Sequence, residues 1–288
     1  MYPEVRAALA AEEDSDVRAP GFDLAAHREE VRLSNLALPR EDVADARDVD
    51  ASGVPCRLFT PADARDGVIV HVHGGGFVFN DIDVHDEVCR RLANRSRRRV
   101  LSIGYRKPPE HRFPAAVDDV DTVLDWLADQ DIRGPWAAHG DSAGANLALV
   151  AALRNPGRFA AVALIYPFLD PTAGFASYAE ASSSGFDRDE ARWYWEQYAD
   201  RRDWTNPDLA PLLSDRLHTL PPTFVATAEF DPLRDEGEEL ARRIAETGVE
   251  TVAVRCLGQT HGFWRRPQFA AAEPLLRQGA AFLDMHLV

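Results

Sequence analysis

The chain has 288 residues, of which 45% are hydrophobic, and its formal charge is −15, from 32 basic and 47 acidic side chains. This size suits one large α/β domain with a small appendage, and the negative charge disfavours nucleic acid and anionic membranes as partners. No apolar run approaches the roughly 18 residues of a membrane-spanning helix, so we expect no membrane span. Three cysteines far apart in sequence indicate neither a disulfide framework nor a zinc site.

The first residues of the chain, MYPEVRAALAAEEDSD, are acidic where a secretory signal peptide needs a basic end and an apolar stretch. We therefore expect a cytoplasmic protein.

Short β-rich runs alternate with longer amphipathic stretches from about residue 45 onwards. The predicted strands are residues 68–72, 100–105, 136–138, 160–168, 223–228 and 250–257. The predicted helices are residues 114–130, 145–153, 233–247 and 268–286. This alternation predicts an α/β fold, with a mostly parallel central sheet and helices on both faces.

Two segments fall outside the alternation: residues 1–45 and about 175–205. The second segment is helix-like and carries three consecutive aromatic residues at 193–195. We expect both segments to form a helical cap on a catalytic domain of residues 46–288. We also expect Phe186 and Trp193 of the cap to line a substrate pocket, together with Phe77 and Asp141.

A G-x-S-x-G motif lies at residues 140–144, with Ser142 at its centre. A predicted strand precedes the motif and a predicted helix follows it, which is the arrangement of a nucleophile elbow. The motif alone would occur by chance in about one chain of this length in ten, and a plain glycine-rich turn is the alternative. Its context therefore favours Ser142 as a nucleophile.

Three consecutive glycines follow the predicted strand 68–72, in the stretch HGGGF at residues 73–77. Bare backbone N–H groups of this kind can converge on one oxygen as an oxyanion hole. We expect Gly75, Gly76 and Ala143, the residue after the serine, to be the donors. A phosphate-binding loop would need Lys-Ser/Thr after the glycines, and His71 and His73 have no further metal ligand at short spacing, so we predict neither a metal nor a cofactor.

The acid and the base should follow the serine in the chain. Of the histidines after Ser142, His218 precedes any plausible acid loop and His286 lies in the last predicted helix. His261 follows strand 250–257 directly and is the predicted base. Asp231, which follows strand 223–228, is the predicted acid, and Asp170 is a rival after strand 160–168.

Each of these candidates lies where a predicted strand ends. Ligands of open parallel sheets bind at the carboxyl ends of the strands. The sequence therefore predicts that Ser142, His261, Asp231 and the glycine loop meet at one edge of the sheet.

Six stretches of the sequence resemble the hormone-sensitive-lipase-like carboxylesterases of the α/β-hydrolase fold. They are HVHGGGF (71–77), YRKPPEHRFPAAVDD (105–119), GDSAGANLAL (140–149), PLLSD (211–215), AEFDPLRDEG (228–237) and HGF (261–263). The resemblance implies the same triad and oxyanion donors, a cap, a preference for short or medium acyl chains and a possible homodimer. Ala145 and Lys107-Pro108 depart from the usual pattern, which bears on substrate preference.

The sequence thus predicts a serine carboxylesterase that acts on a small-molecule ester through an acyl-enzyme. Two alternatives remain open at this stage. An amidase or formamidase would use the same triad, and a catalytically silent binding protein would share the fold but is expected to lack a triad member.

Overall fold

The computed structural model describes residues 1–11, 16–181 and 186–288. Residues 12–15 and 182–185 of the two expected cap segments lie outside the described residues. Among the helices of the described ranges, none is long and apolar enough to cross a membrane.

A twisted sheet forms the centre of the molecule. Its strands are β1 (Asp45–Ala51), β2 (Val54–Thr60), β3 (Arg65–Val72), β4 (Arg98–Ile103), β5 (Trp136–Asp141), β6 (Phe159–Ile165), β7 (Thr223–Phe230) and β8 (Thr251–Thr260). They lie in the order β1-β2-β4-β3-β5-β6-β7-β8. Strand β2 is antiparallel to both its neighbours, and β3 to β8 are parallel. The predicted α/β fold with a mostly parallel sheet is confirmed.

Helices cover both faces of the sheet. They are α1 (Pro3–Ala11), α2 (Leu24–Leu36), α3 (Asp86–Ser96), α4 (Ala115–Ala128), α5 (Ala143–Arg154), α6 (Ser177–Glu180), α7 (Arg188–Tyr198), α8 (Arg234–Glu246) and α9 (Ala272–His286). Alternate side chains of β3 enter opposite cores: Val68 and Val70 pack with α4, α5 and α8, whereas Ile69 packs with α3 and α9. Strands buried on both faces explain the unbroken apolar runs in the sequence.

The hairpin of β1 and β2 and the helix α3 were not among the predicted elements. Strand β1 alternates acidic and apolar residues at the sheet edge, so it lacks the apolar run of a central strand. Ser52 and Gly53 connect the hairpin with φ values of +57° and +92°, as a two-residue turn between twisted strands requires.

Three parallel strands extend further than the sequence indicated. Strand β5 continues to Asp141, β7 to Phe230 and β8 to Thr260. The additional residues of β5 are polar or glycine but are fully buried, so the pairing with neighbouring strands overrides their low strand propensity. Each strand therefore ends directly at the residues expected to carry the chemistry.

The two expected cap segments behave differently. Helix α1 lies beside β8, where the Tyr2 N–H donates to the Gly258 carbonyl oxygen over 3.1 Å and Val5 joins the core of α3 and α9. The part that follows packs with α7 in a small hydrophobic group that we call the cap cluster. The cap cluster consists of Val17, Phe22, Leu24, Val78, Phe79, Trp193 and Tyr194.

Candidate active site

Ser142 lies in a sharp turn between β5 and α5. Its φ and ψ are +54° and −124°, which is a strained conformation for a residue with a side chain. A Cβ on Gly140 would lie 2.3 Å from the Gly144 carbonyl oxygen, and a Cβ on Gly144 would lie 2.1 Å from the Val72 carbonyl oxygen. Both motif glycines are therefore required, because the turn presses directly against its own helix and against the end of β3.

His261 connects the serine to a carboxylate. Its Nε2 lies 2.9 Å from the Ser142 Oγ, and its Nδ1 lies 2.9 Å from the Asp231 Oδ2. Asp231 is fully buried, and its Oδ1 accepts the Leu233 N–H over 2.9 Å. The rival Asp170 uses both carboxylate oxygens within its own loop, on Thr172 and Gly174.

Aromatic rings enclose the imidazole of His261 on two sides. The Tyr166 ring centroid is 4.4 Å from that of His261, and the Phe186 centroid is 5.2 Å away at an interplanar angle of 82°. Ser142 is 7% exposed and the His261 side chain 18% exposed. The pair is thus shielded from bulk water yet open to a small molecule.

The glycine loop after β3 turns back over the serine. Gly75 and Gly76 have φ values of +123° and +57°, and the Gly75 carbonyl oxygen accepts the N–H groups of Val78 and Phe79 over 3.0 and 2.7 Å. Ala143 is the first residue of α5, where backbone N–H groups have no acceptor within the helix. A helix N-terminus also favours negative charge.

The structure separates the four residues expected to line a pocket. Phe186 lies beside His261, whereas Trp193 stacks on Phe79 in the cap cluster. Phe77 is fully buried, with its ring 3.9 Å from that of Tyr198 and nearly parallel to it.

The expectation for Asp141 was wrong, because its side chain is only 2% exposed and lies beneath the glycine loop. Its Oδ1 accepts the Gly74 N–H over 2.9 Å, and its Oδ2 lies 3.8 Å from the Arg265 Nε. Burial raises the pKa of the Asp141 carboxyl, and Arg265 opposes that rise.

A chain of buried histidines leads away from Asp141. The His85 Nδ1 is 3.6 Å from the Asp141 Oδ1 and 3.1 Å from the His71 Nε2, and the His71 Nδ1 is 2.9 Å from the His139 Nδ1. Burial lowers the pKa of His71 and His85 well below the usual value and that of His139 to about 3. These rings are therefore neutral at pH 7.

His71, His85 and Asp141 hold one potential metal ligand each within 4.8 Å of one another. No sequence pattern groups His85 with the other two, because tertiary packing alone brings its loop beneath β3. The set fits a cation poorly, since the Arg265 guanidinium already lies beside the carboxylate and the two imidazoles bond to each other.

Comparisons with known proteins agree with this architecture. A family model described as the alpha/beta hydrolase fold matches residues 69–265, more than half of the chain. An arylesterase of Saccharolobus solfataricus is 30% identical over 81% of both chains. The carboxylic ester hydrolase LipN of Mycobacterium tuberculosis is 35% identical over 84% of this chain and 70% of its own. A hyperthermophilic esterase of Pyrobaculum calidifontis superposes with a TM-score of 0.87 at 35% identity, over 99% of each chain.

Fold and site together define an α/β-hydrolase. Within that class, the chain belongs to the hormone-sensitive-lipase-like carboxylesterases and is a carboxylic ester hydrolase.

Proposed function

We propose that Ser142 is the nucleophile of a serine esterase, with His261 as its general base and Asp231 as the partner of that base. The observation that carries the proposal is the continuous contact from Ser142 Oγ to His261 Nε2 and from His261 Nδ1 to Asp231, at 2.9 Å each. The buried carboxylate holds the imidazole in the tautomer that leaves Nε2 free to accept a proton.

The reaction then proceeds in two halves. The Ser142 Oγ attacks the ester carbonyl carbon while its proton moves to His261 Nε2, and the carbonyl oxygen becomes an oxyanion. The alcohol leaves with that proton, and the acyl group stays on the serine. A water molecule, deprotonated by His261, attacks the acyl-enzyme and releases the carboxylic acid.

The N–H groups of Gly75, Gly76 and Ala143 are the proposed donors to the oxyanion. Support comes from the left-handed turns of the two glycines and from the position of Ala143 at the start of α5. One such donor typically contributes about 3–4 kcal/mol to transition-state stabilisation.

We infer a preference for short to medium acyl chains. Ser142 is almost completely covered, and the rings of Tyr166 and Phe186 lie against His261. A long chain would have to displace them. A series of p-nitrophenyl esters from acetate to palmitate measures this preference.

The test of the nucleophile is Ser142→Ala. We expect turnover of p-nitrophenyl acetate to fall by about 10⁶-fold, as for other serine hydrolases that lose the nucleophile, with an unchanged circular dichroism spectrum. Turnover near that of the parent enzyme would refute the assignment.

We further propose a homodimer and a cytoplasmic location. Strand β8 is an edge of the sheet, and Val252 and Leu257 on it are exposed, which favours pairing with a second chain. The three cysteines are free, as is usual in a reducing compartment. Sedimentation of the parent and of Val252→Lys tests the dimer, and cell fractionation tests the location.

A further inference from the structure

One buried carboxyl contacts all three segments of the active site. Asp141 precedes Ser142 in the chain, its Oδ1 accepts the Gly74 N–H over 2.9 Å, and its Oδ2 faces residues that belong to the His261 environment. Those residues are Arg265, whose Nε is 3.8 Å away, and Tyr166, whose hydroxyl donates over 3.4 Å and whose ring contacts that of His261 at an interplanar angle of 53°.

The contact with Gly74 leaves little freedom to the glycine loop. A Cβ on Gly74 would lie 2.7 Å from the Asp141 Oδ2 and 2.8 Å from its carbonyl oxygen. The Gly74 carbonyl oxygen accepts from Asn80 Nδ2 over 3.1 Å on the other side. Gly74 is therefore held on both sides, because its N–H donates to a single carboxylate oxygen of Asp141 and its carbonyl oxygen accepts from Asn80.

The hydrogen bonds that join the imidazoles of His85, His71 and His139 have one favoured donor-to-acceptor direction. The His85 Nε2 is buried without a hydrogen-bond partner, and an unpaired N–H there would cost more than an unpaired lone pair. The proton of His85 is therefore on Nδ1, which faces both His71 Nε2 and Asp141 Oδ1. His71 then donates from Nδ1 to His139. The His85 proton is donated to His71 Nε2 in this tautomer, so the 3.6 Å approach of His85 Nδ1 to Asp141 Oδ1 is a packing contact and not a hydrogen bond.

We propose that Asp141 is a positioning residue for the oxyanion loop, acting through the Gly74 N–H, and that Tyr166 and Arg265 hold its carboxylate in place. This inference rests on the proposed serine esterase mechanism. The Asp141 carboxylate, which never touches the substrate, positions the glycine loop for the tetrahedral intermediate. Loss of the Asp141 acceptor should therefore weaken binding of the transition state and leave binding of the ester largely intact.

The experiment compares Asp141→Ala with Asp141→Asn. Active sites are counted by stoichiometric inactivation with a p-nitrophenyl phosphonate, so that kcat refers to folded enzyme only. We expect kcat of the alanine variant to fall about 100-fold, with KM within about threefold of the parent. The inhibition constant of a trifluoromethyl ketone, which forms a tetrahedral adduct, should rise by the factor by which kcat/KM falls. Asparagine keeps an acceptor for Gly74 and should restore kcat to within about tenfold of the parent.

Glu236 supplies the matched control. It is also a fully buried carboxyl, and it accepts the N–H groups of Leu169 and Asp170 over 2.8 and 3.1 Å, away from the glycine loop. We expect Glu236→Ala to lower the melting temperature while kcat per active site and the inhibition constant stay within about threefold of the parent.

Parent-like kcat and ketone affinity in Asp141→Ala would overturn the proposal, and so would a loss of kcat in Glu236→Ala equal to that in Asp141→Ala. If the alanine variant does not fold, the asparagine variant decides, because a kcat per active site more than about tenfold below that of the parent, despite the retained acceptor for Gly74, would overturn the proposal. Failure of the serine mechanism itself is recognised separately, by a parent enzyme that does not react with the phosphonate.

Discussion

The carboxyl edge of the sheet and the cap cluster above it are built by different means. At the edge, a Cβ added to Gly140 or Gly144 would lie 2.3 or 2.1 Å from a backbone carbonyl oxygen, so both positions require glycine. Buried hydrogen bonds hold Asp231 and Asp141. In the cap cluster, aromatic rings such as Phe79 pack at centroid distances of 5.3 to 6.4 Å. Ion pairs at the surface add to this packing.

This difference assigns the chemical step to the edge of the sheet and the substrate range to the cap cluster. Close-packed backbone cannot absorb a substitution without a shift, so the edge fixes the chemistry. Substitution of a packed ring on a short helix costs less free energy of unfolding. We therefore expect residues of the cap cluster to adjust the substrate range. Substitutions of matched residues in the two regions should therefore change different kinetic parameters.

The largest effect should follow loss of the carboxylate behind His261. Asp231→Asn should lower kcat about 10⁴-fold, because the amide favours the wrong imidazole tautomer. Asp170→Asn is the control, since the Asp170 carboxylate oxygens accept from Thr172 and Gly174 of its own loop, and its kcat should stay within about twofold of the parent. Steady-state hydrolysis of p-nitrophenyl acetate measures both. If Asp170→Asn is instead the damaged variant, the assignment of the acid is wrong.

Acid should lower the free energy of unfolding through the histidines that lie beneath the edge of the sheet. His73 and His139 are buried beneath the edge with a pKa of about 3, against an ordinary 6.5, because burial disfavours the cation. The unfolded chain therefore binds protons that the folded chain does not, and the free energy of unfolding falls as the pH drops from 6.5 towards 3. Each histidine contributes up to about 1.4 kcal/mol per pH unit.

Urea unfolding at pH 7.5, 6.0 and 5.0 measures this slope. His139→Gln should reduce the slope, because it removes one of the buried rings. A free energy of unfolding that is constant between pH 6.5 and 5.0 would contradict the neutral, buried state of these rings.

A moderate effect is expected where the cap touches the glycine loop. A Cβ on Gly76 would lie 2.3 Å from the Tyr194 ring, so this ring closes the space above the loop. Tyr194→Ala should raise kcat/KM for octanoate relative to acetate several-fold, since the acyl chain gains the vacated space. Trp193→Ala removes the neighbouring ring, which stacks on Phe79 instead, and should leave that ratio unchanged. If both variants show the same ratio of kcat/KM for octanoate and acetate, the Tyr194 ring does not limit the length of the acyl chain.

The smallest effect should come from the ion pair that joins the N-terminal segment to α7. Arg18 Nη1 lies 3.1 Å from Asp187 Oδ1, and both side chains are more than a third exposed. Arg18→Ala should lower the free energy of unfolding by less than about 1 kcal/mol. Asp187 also caps α7 through the Glu190 N–H, so Asp187→Ala should cost more, about 1 kcal/mol or slightly above. Chemical denaturation of both variants checks the order, and the reverse order would contradict it.

How far the sequence could predict the molecule also differs between the two regions. The central strands and the elbow at Ser142 were readable, because apolar runs and glycines reflect local backbone demands. The same reasoning stopped β5 at residue 138, since polar residues 139–141 look unlike a strand until their neighbours bury them.

The side-chain network around Asp141 was not readable from the sequence, unlike the contacts of Ser142, His261 and Asp231. The contact of Asp141 with Gly74 joins residues 67 positions apart, and His85 enters only because its loop folds beneath β3. No local pattern encodes such a meeting. For the same reason the sequence placed Asp141 in the substrate pocket, whereas its carboxylate is buried beneath the loop.

The most direct test of the central claim is the site of covalent modification. The parent enzyme is treated with a p-nitrophenyl phosphonate, digested, and analysed by peptide mass spectrometry. The account predicts one adduct per chain, on the Ser142 side chain, and a rate that falls by orders of magnitude in His261→Ala. An adduct on any other residue, or an equal rate without the imidazole, would contradict it.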